Sequence, residues 1–558
     1  MKLNCHSLRF LLLLFVTSSL GLISQNNTEK KDNFKISGGL GATQTFYNVN
    51  GIENRRDPYF WLVNANLNIS IKGINIPFTA SFSQQNKRFT QPFNQYGISP
   101  KIKSVIIHAG YRSLLFSNFT YNGLVFLGGG IEYNPTNSWV KLATFAGRFT
   151  KPVSSPEKEG LVSGVPAYGR WGGGLKLTIG KPANFVDIIA FKAKDILGSK
   201  LIYDNDSNLL KAAENLTGAI YTNQKIGKKF TFASELAFSA YNADQLAPEQ
   251  VLLKYSYVNN FGTLFTPNSS SQFNKAMLAN LIYQEKFMQI RFSYRRIDPE
   301  YKSLGCIFLN NDLEDITSTL STRLFKNKVN LSVSGGIQRN NLNGELSNQM
   351  NRVIGSANLS YSINSSLNLS ANVSNFNSSN VAKRVNGPDS LNYSQVTNSG
   401  GLNLNYSIGN NSKRQNIFLM TNVQTANDNQ NKSNTFYNAN FGYQLNLAPK
   451  STIITASLTT NKNASSTSDN ASAGLNAGLV KHFFAKKMRL NASTAYLINF
   501  IGGKQNGSSQ IFRLIGNYTL NKHHSFSADL NILLKNSTDP SSKSFQEYRG
   551  SLIYNFTF

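Results

Sequence analysis

The chain has 558 residues with 56 Lys or Arg against 28 Asp or Glu, for a formal net charge of +28. Mean hydropathy is −0.28, and no stretch after Gln25 holds the roughly eighteen apolar residues in a row that mark a membrane helix. A helical membrane protein is therefore excluded, as is a disulfide scaffold, because the only cysteines are Cys5 and Cys306.

The first element is a leader. Lys2 and Arg9 precede an apolar run from Phe10 to Leu22 that is interrupted only by Thr17, Ser18, Ser19 and Gly21. A run this short matches a secretory signal peptide rather than a span. The expected plan is a signal peptide over 1–24, a short lead over 25–33 and a barrel over 34–558. Leu22 is a poor residue three positions before a cut at Ser24, so cleavage after Gly21 stays open. Cys5 lies too early for a lipid anchor.

From Phe34 onward the period is two. Val329, Leu331, Val333 and Ile337 alternate with Asn330, Ser332, Ser334 and Gln338. Leu367, Leu369, Ala371 and Val373 alternate with Asn368, Ser370, Asn372 and Ser374, and Phe526, Ala528, Leu530 and Ile532 with Ser527, Asp529 and Asn531. A soluble sandwich of this length would need dense apolar layers, and none appears. The fold class expected is all-β, a large transmembrane antiparallel β-barrel of about 24–26 strands, whose lipid face and polar lumen cancel in the average hydropathy.

Connection lengths support this. Short turns near 227–229, 285–287, 326–328, 364–366, 448–451, 484–487 and 521–524 alternate with longer stretches near 195–214, 243–272, 298–315, 340–351, 375–398, 426–433, 461–470 and 502–509. Short periplasmic turns and long outer loops are the rule for such barrels. Candidate strands number about twenty-five, whereas bacterial single-chain barrels have an even number. The conflict falls in 84–124, which holds either an extra strand, favouring 26, or an infolded segment. The best candidates for infolding are 84–104 and the long outer loop 243–272.

Three stretches carry a resemblance: QPFNQYGISPKIKSVIIHAGYRS at 91–113, FKAKD at 191–195, and YRRIDPEYKSLG at 294–305 followed by NNDLEDIT at 310–317. They resemble an uncharacterised outer-membrane β-barrel family of Bacteroidota. The resemblance spans residues 80–320 by motif and implies an outer-membrane location, with no catalytic residue or substrate attached. The C-terminus is similar to the signal read by the barrel-assembly machinery, through Tyr554, Phe556 and Phe558, although Ile553 stands where that signal usually has glycine.

No HExxH, GxSxG, Walker or paired-Cys spacing is present, so neither an enzyme, a metal nor a cofactor is expected. His108, inside VIIHAGYR, reads as a polar lumen residue. The glycine runs at 128–130 and 172–174 sit within strand patterns, where they relieve crowding. The basic charge concentrates in short turns such as Lys228-Lys229 and Lys486-Lys487 without interleaved aromatics, which points to lipid phosphates at a barrel rim and not to nucleic acid. Alternation begins too early for the plug domain of a TonB-dependent transporter.

Alternation turns Arg291 and Arg295 inward on one strand, and Arg513, Asp529 and Arg549 inward on three consecutive strands. These charges either set selectivity or form internal salt bridges. Two functions follow. One is a passive or gated conduit for polar or anionic solutes. The other is a non-conducting scaffold or accessory barrel for secretion or surface-protein attachment, with a periplasmic or surface protein partner. Outer-membrane lipid and the assembly machinery are partners under both.

Overall fold

A strand with one apolar face can cross lipid only if both of its edges are hydrogen-bonded, and a closed barrel is the sheet that leaves no edge. The computed structural model has this form. It describes residues 34–84, 94–153, 167–198, 211–345, 348–382, 393–428, 433–466, 469–539 and 542–558. The signal peptide and lead expected over 1–33 lie outside the described residues.

All 27 strand segments belong to one antiparallel sheet. Phe34–Asn50 pairs with Tyr59–Ile71 on one side and with Phe545–Thr557 on the other, which closes the wall with Leu40 opposite Phe556 and Tyr47 opposite Arg549. Gln95–Ile98 and Lys101–Ile102 both lie between Ile74–Ser83 and Val105–Arg112. They are one wall strand interrupted at Ser99 and Pro100, since proline cannot donate to the ladder. The barrel therefore has 26 strands. The strand that the sequence left ambiguous is this broken one, so the part of 84–104 that is described belongs to the wall and does not fold into the lumen.

The alternation sorts the two faces. Ile188, Ile220, Leu236, Phe238, Phe292, Leu458, Leu475 and Leu552 are exposed on the outside, while the neighbours Asp187, Ala219, Glu235 and Ala237 of the first four are buried inside. Thr557 ends at the rim that also carries the tight turns Lys72–Gly73, 227–229, 285–287, 325–328 and 484–487. By the rule for barrels that rim is periplasmic. It carries the lysine pairs Lys228-Lys229 and Lys486-Lys487.

Two outer loops expected to be long are short. Gly502 and Gly503, with φ of 57° and 78°, make a tight turn, and the polar stretch after them is the start of Lys504–Thr519. Likewise Thr452–Ser465 and Asp469–Phe483 extend through most of 461–470. Strand ends that stand above the apolar belt have polar residues on both faces, so they lose the alternation that identifies a strand. No helix among the described residues is long and apolar enough to cross a membrane.

Candidate functional site inside the barrel

The segment 113–124 follows Val105–Arg112 at the outer rim and turns into the lumen. It closes as a hairpin, with Phe116 N donating to Tyr121 O at 3.0 Å and the Ser117 and Thr120 hydroxyls 2.7 Å apart. Tyr121 is 0% exposed, with its ring 4.4 Å from that of Phe145 and 5.4 Å from that of Phe191. The wall has room for these rings because its inward residues here are small. Ala219, Ala237 and Ala276 lie side by side on three strands. A Cβ on Gly174 would come within 2.8 Å of the Phe116 ring, and one on Gly172 within 2.8 Å of the Phe149 ring. The inward members of the run 172–174 thus form a seat for aromatic side chains, a more specific role than easing a curved wall.

A second loop, 298–312, meets the hairpin inside. Tyr301 Oη donates to Phe119 O at 3.0 Å, and Asn122 N donates to Gly305 O at 3.0 Å. The loop is tied to the wall through Asn215, whose Oδ1 accepts from Leu304 N at 3.0 Å and whose Nδ2 donates to Ser239 Oγ at 2.9 Å. Beneath the hairpin Glu235 is 1% exposed and accepts hydrogen bonds from the Phe119 and Asn118 amides at 3.2 and 3.4 Å. A buried carboxylate without such donors would be costly, so the acid and the hairpin depend on each other. Burial also pushes the Cys306 thiol up to about 11 and the Tyr301 phenol well above its ordinary range.

The long loop 243–270, expected as an infolding candidate, instead folds down over the outside of the wall. Its Val258 and Phe265 bury against the outward residues Ala240 and Phe273, and Lys192 Nζ donates to Thr263 O at 2.9 Å. Its apolar residues meet an apolar patch of the outer wall formed by Leu216, Ala240 and Phe273, beside the Lys192–Glu214 ion pair at 3.2 Å.

Ion pairs surround the knot on the inner wall. Arg170 and Asp195 form a two-pronged pair at 2.7 and 3.1 Å, and Lys176 meets Asp187 at 2.9 Å. Among the lumen charges read from the sequence, Arg295 meets Asp315 at 2.6 Å and Arg513 meets Asp529 at 2.8 Å. Arg549 is opposite Asn531 and Tyr47, and neither it nor Arg291 enters an ion pair among the described residues. His108 is held by Ser99 Oγ at 2.9 Å and Glu132 Oε1 at 2.7 Å. The C-terminal aromatics gather at the closing seam, where Phe558 N donates to Gly38 O at 3.0 Å and the Phe556 and Phe558 rings are 4.8 Å apart.

The wall from Leu367–Ala382 to Asp469–Phe483 differs. Among its described side chains, those facing inward between the strand ends are mostly amides, hydroxyls and glycines, joined by the uncharged Phe376, Phe418, Met420 and Phe436. Asn416 Nδ2 donates to Gln444 Oε1 at 3.0 Å, and Asn440 and Asn476 both donate to Thr459 Oγ1, at 2.7 and 2.8 Å. The lumen thus has a charged and aromatic sector occupied by loops and, across these six strands, an uncharged and mostly polar sector. Sequence reading missed Glu235, Tyr121 and Tyr301. The signal for Glu235 was present as a lone acid in FTFASELAFSAYN, and Tyr301 lies in one of the stretches that carry the family resemblance. No group of described residues is arranged to hold a metal ion.

No protein-family model and no curated protein sequence matches the chain. Several solved structures align with it weakly. The P pilus usher (PapC) translocation pore is 9% identical with a TM-score of 0.38, over 94% of this chain and 99% of that one. Acinetobacter baumannii OccAB4 is 12% identical with a TM-score of 0.29, over 67% and 97%. Pseudomonas aeruginosa OpdK with vanillate is 9% identical with a TM-score of 0.30, over 62% and 94%. Similarity at this level carries nothing about what passes through or binds to this chain.

Proposed function

We propose that the protein is an outer-membrane conduit for polar solutes, narrowed on one side of the lumen by the knot of the 113–124 and 298–312 loops. The observation that carries this reading is the division of the inner wall. A barrel of this strand number encloses more space than side chains fill, and the loops dock on the charged, aromatic sector. The uncharged sector, lined mainly by exchangeable amide and hydroxyl ladders, is left for passage. Such a wall replaces the hydrogen bonds of a hydrated solute without holding a charge tightly.

The test is conductance of the purified protein in planar bilayers. A steady conductance that increases when residues 114–124 are replaced by a short Gly-Ser linker supports the conduit. A barrel that stays electrically silent in both forms overturns it. The second reading, a non-conducting scaffold for secretion or surface attachment, draws support from the outer loop 243–270, where Val251, Leu253 and Leu264 are exposed. Silence together with stoichiometric co-purification of a partner would favour that reading.

A further inference from the structure

Below the hairpin, on its periplasmic side, a cavity of about 480 Å³ separates Leu115–Asn118 from the lower parts of five wall strands. The volume suits a small organic ligand. Three lysines line it, Lys141, Lys176 and Lys181, with two acids, Asp187 and Glu235. Both acids already have their partners. Asp187 holds Lys176 at 2.9 Å and accepts from Thr178 Oγ1 at 2.5 Å, and Glu235 is occupied by the hairpin amides. The lysines are not balanced in the same way. Lys141 enters no ion pair among the described residues, and Lys181 lies with its Nζ 5.4 Å above the Trp139 ring, a partner that carries no charge. The cavity therefore has ammonium charge in excess of carboxylate.

Its apolar part is also built. Phe185 and Tyr221 pack with ring centroids 5.8 Å apart on the wall, and Phe116 and the exposed Leu115 face them from the hairpin. Apolar surface beside an uncompensated ammonium is the combination expected for a ligand with an apolar body and one negative end. Three ammonium groups against two carboxylates leave one positive charge in excess, which matches a monoanion and not a dianion.

We propose that this cavity is a binding site for small organic monoanions, carboxylates with a flat or apolar body, which enter it with the carboxylate on Lys141 and the body against Phe185 and Tyr221. The proposal deepens the conduit reading and rests on it for the site's purpose, as a station beside the passage. Its test does not depend on conduction. The full-length protein in detergent is titrated calorimetrically with benzoate, with benzyl alcohol as the uncharged analogue and with acetate as the charge alone.

Benzoate is expected to bind about ten-fold tighter than either, the worth of one charge-assisted hydrogen bond. Lys141→Gln should remove that advantage and leave benzyl alcohol unchanged, while Lys522→Gln at a distant turn leaves both unchanged. Lys181→Gln provides a second variant if Lys141→Gln does not show the folded barrel's heat-dependent gel mobility. Equal affinity for benzoate and benzyl alcohol, or full benzoate affinity in both lysine variants, overturns the site. A silent barrel that binds benzoate keeps the site and removes the conduit. A conducting barrel that does not bind it does the reverse.

Discussion

Glycine, a buried acid and a single thiol decide most of what the lumen holds. Gly174 has ordinary backbone angles, so its value lies in the absent side chain. A valine there would drive a methyl group into the Phe116 and Phe145 rings, whose nearest atoms are 2.8 and 3.0 Å from the Cβ position. Overpacking of this kind costs about 1–3 kcal/mol. Gly174→Val should release the hairpin, seen as new protease cleavage within 113–124, while the barrel keeps its heat-modifiable mobility. An uncut hairpin in that variant would mean the ring does not depend on the seat.

Cys306 reports on the partner loop. Its Sγ is 3.5 Å from Asn118 O, and burial pushes its thiol up to about 11. A raised thiol pKa keeps the group protonated, and only the thiolate reacts. Alkylation by iodoacetamide should therefore be slow at pH 7.5 and continue to rise above about pH 10, where an exposed thiol has levelled off. Rapid labelling at neutral pH would show that 298–312 is undocked. At this scale the sequence was half legible. Glu235 was missed although it is the one acid among small and apolar residues of its strand, because its donors, the Asn118 and Phe119 amides, lie 117 and 116 positions away. Arg513 and Asp529 were legible as inward residues. That they meet follows from register, because Asp529 sits opposite Ile515, diagonal to Arg513.

At the level of elements, wall strands are specified locally and loops are not. Alternation fixes a strand's faces within a few residues, because a slip by one residue exchanges the faces entirely. A loop has no such period, and its resting place depends on which surface of the finished barrel complements it. The 113–124 hairpin carries Phe116, Phe119 and Tyr121 to an inner wall of alanine and glycine. The 243–270 loop carries Val258 and Phe265 to Ala240 and Phe273 outside. The second loop leaves Leu253 97% exposed, next to Leu252, which packs against the Val258 and Phe265 cluster on the outer wall. In vesicles, a Leu253→Trp variant should emit to the blue and be quenched by lipids brominated on the acyl chain. Emission typical of water, with no quenching, would place this apolar surface against a protein partner instead of lipid.

For the whole molecule, the decisive contact is the seam between the first and last strands, which are more than 500 positions apart in sequence and paired over twelve residues from Gly39↔Thr557 to Asn50↔Gln546. Phe558 adds one more hydrogen bond there, to Gly38 O. Deletion of Phe558 should slow or prevent insertion and reduce the fraction of protein with the folded gel mobility, whereas Phe558→Tyr, which keeps an aromatic end, should restore it. Full assembly of the truncated chain would remove the C-terminal residue from the assembly signal.

The sequence by itself determined the class of the protein. A period of two, sustained from Phe34 to Phe558 with short and long connections in alternation, admits a membrane barrel and little else, because faces and turns are local properties of the chain. It also placed the uncertain strand within 84–124. Closure decided the rest. Only when Phe545–Thr557 met Phe34–Asn50 did the wall acquire an inside, and only that inside, with its bay of small residues and its unbalanced lysines, determined which loops entered and what charge they left exposed. Those features depend on residues brought together across many strands, which no local pattern records.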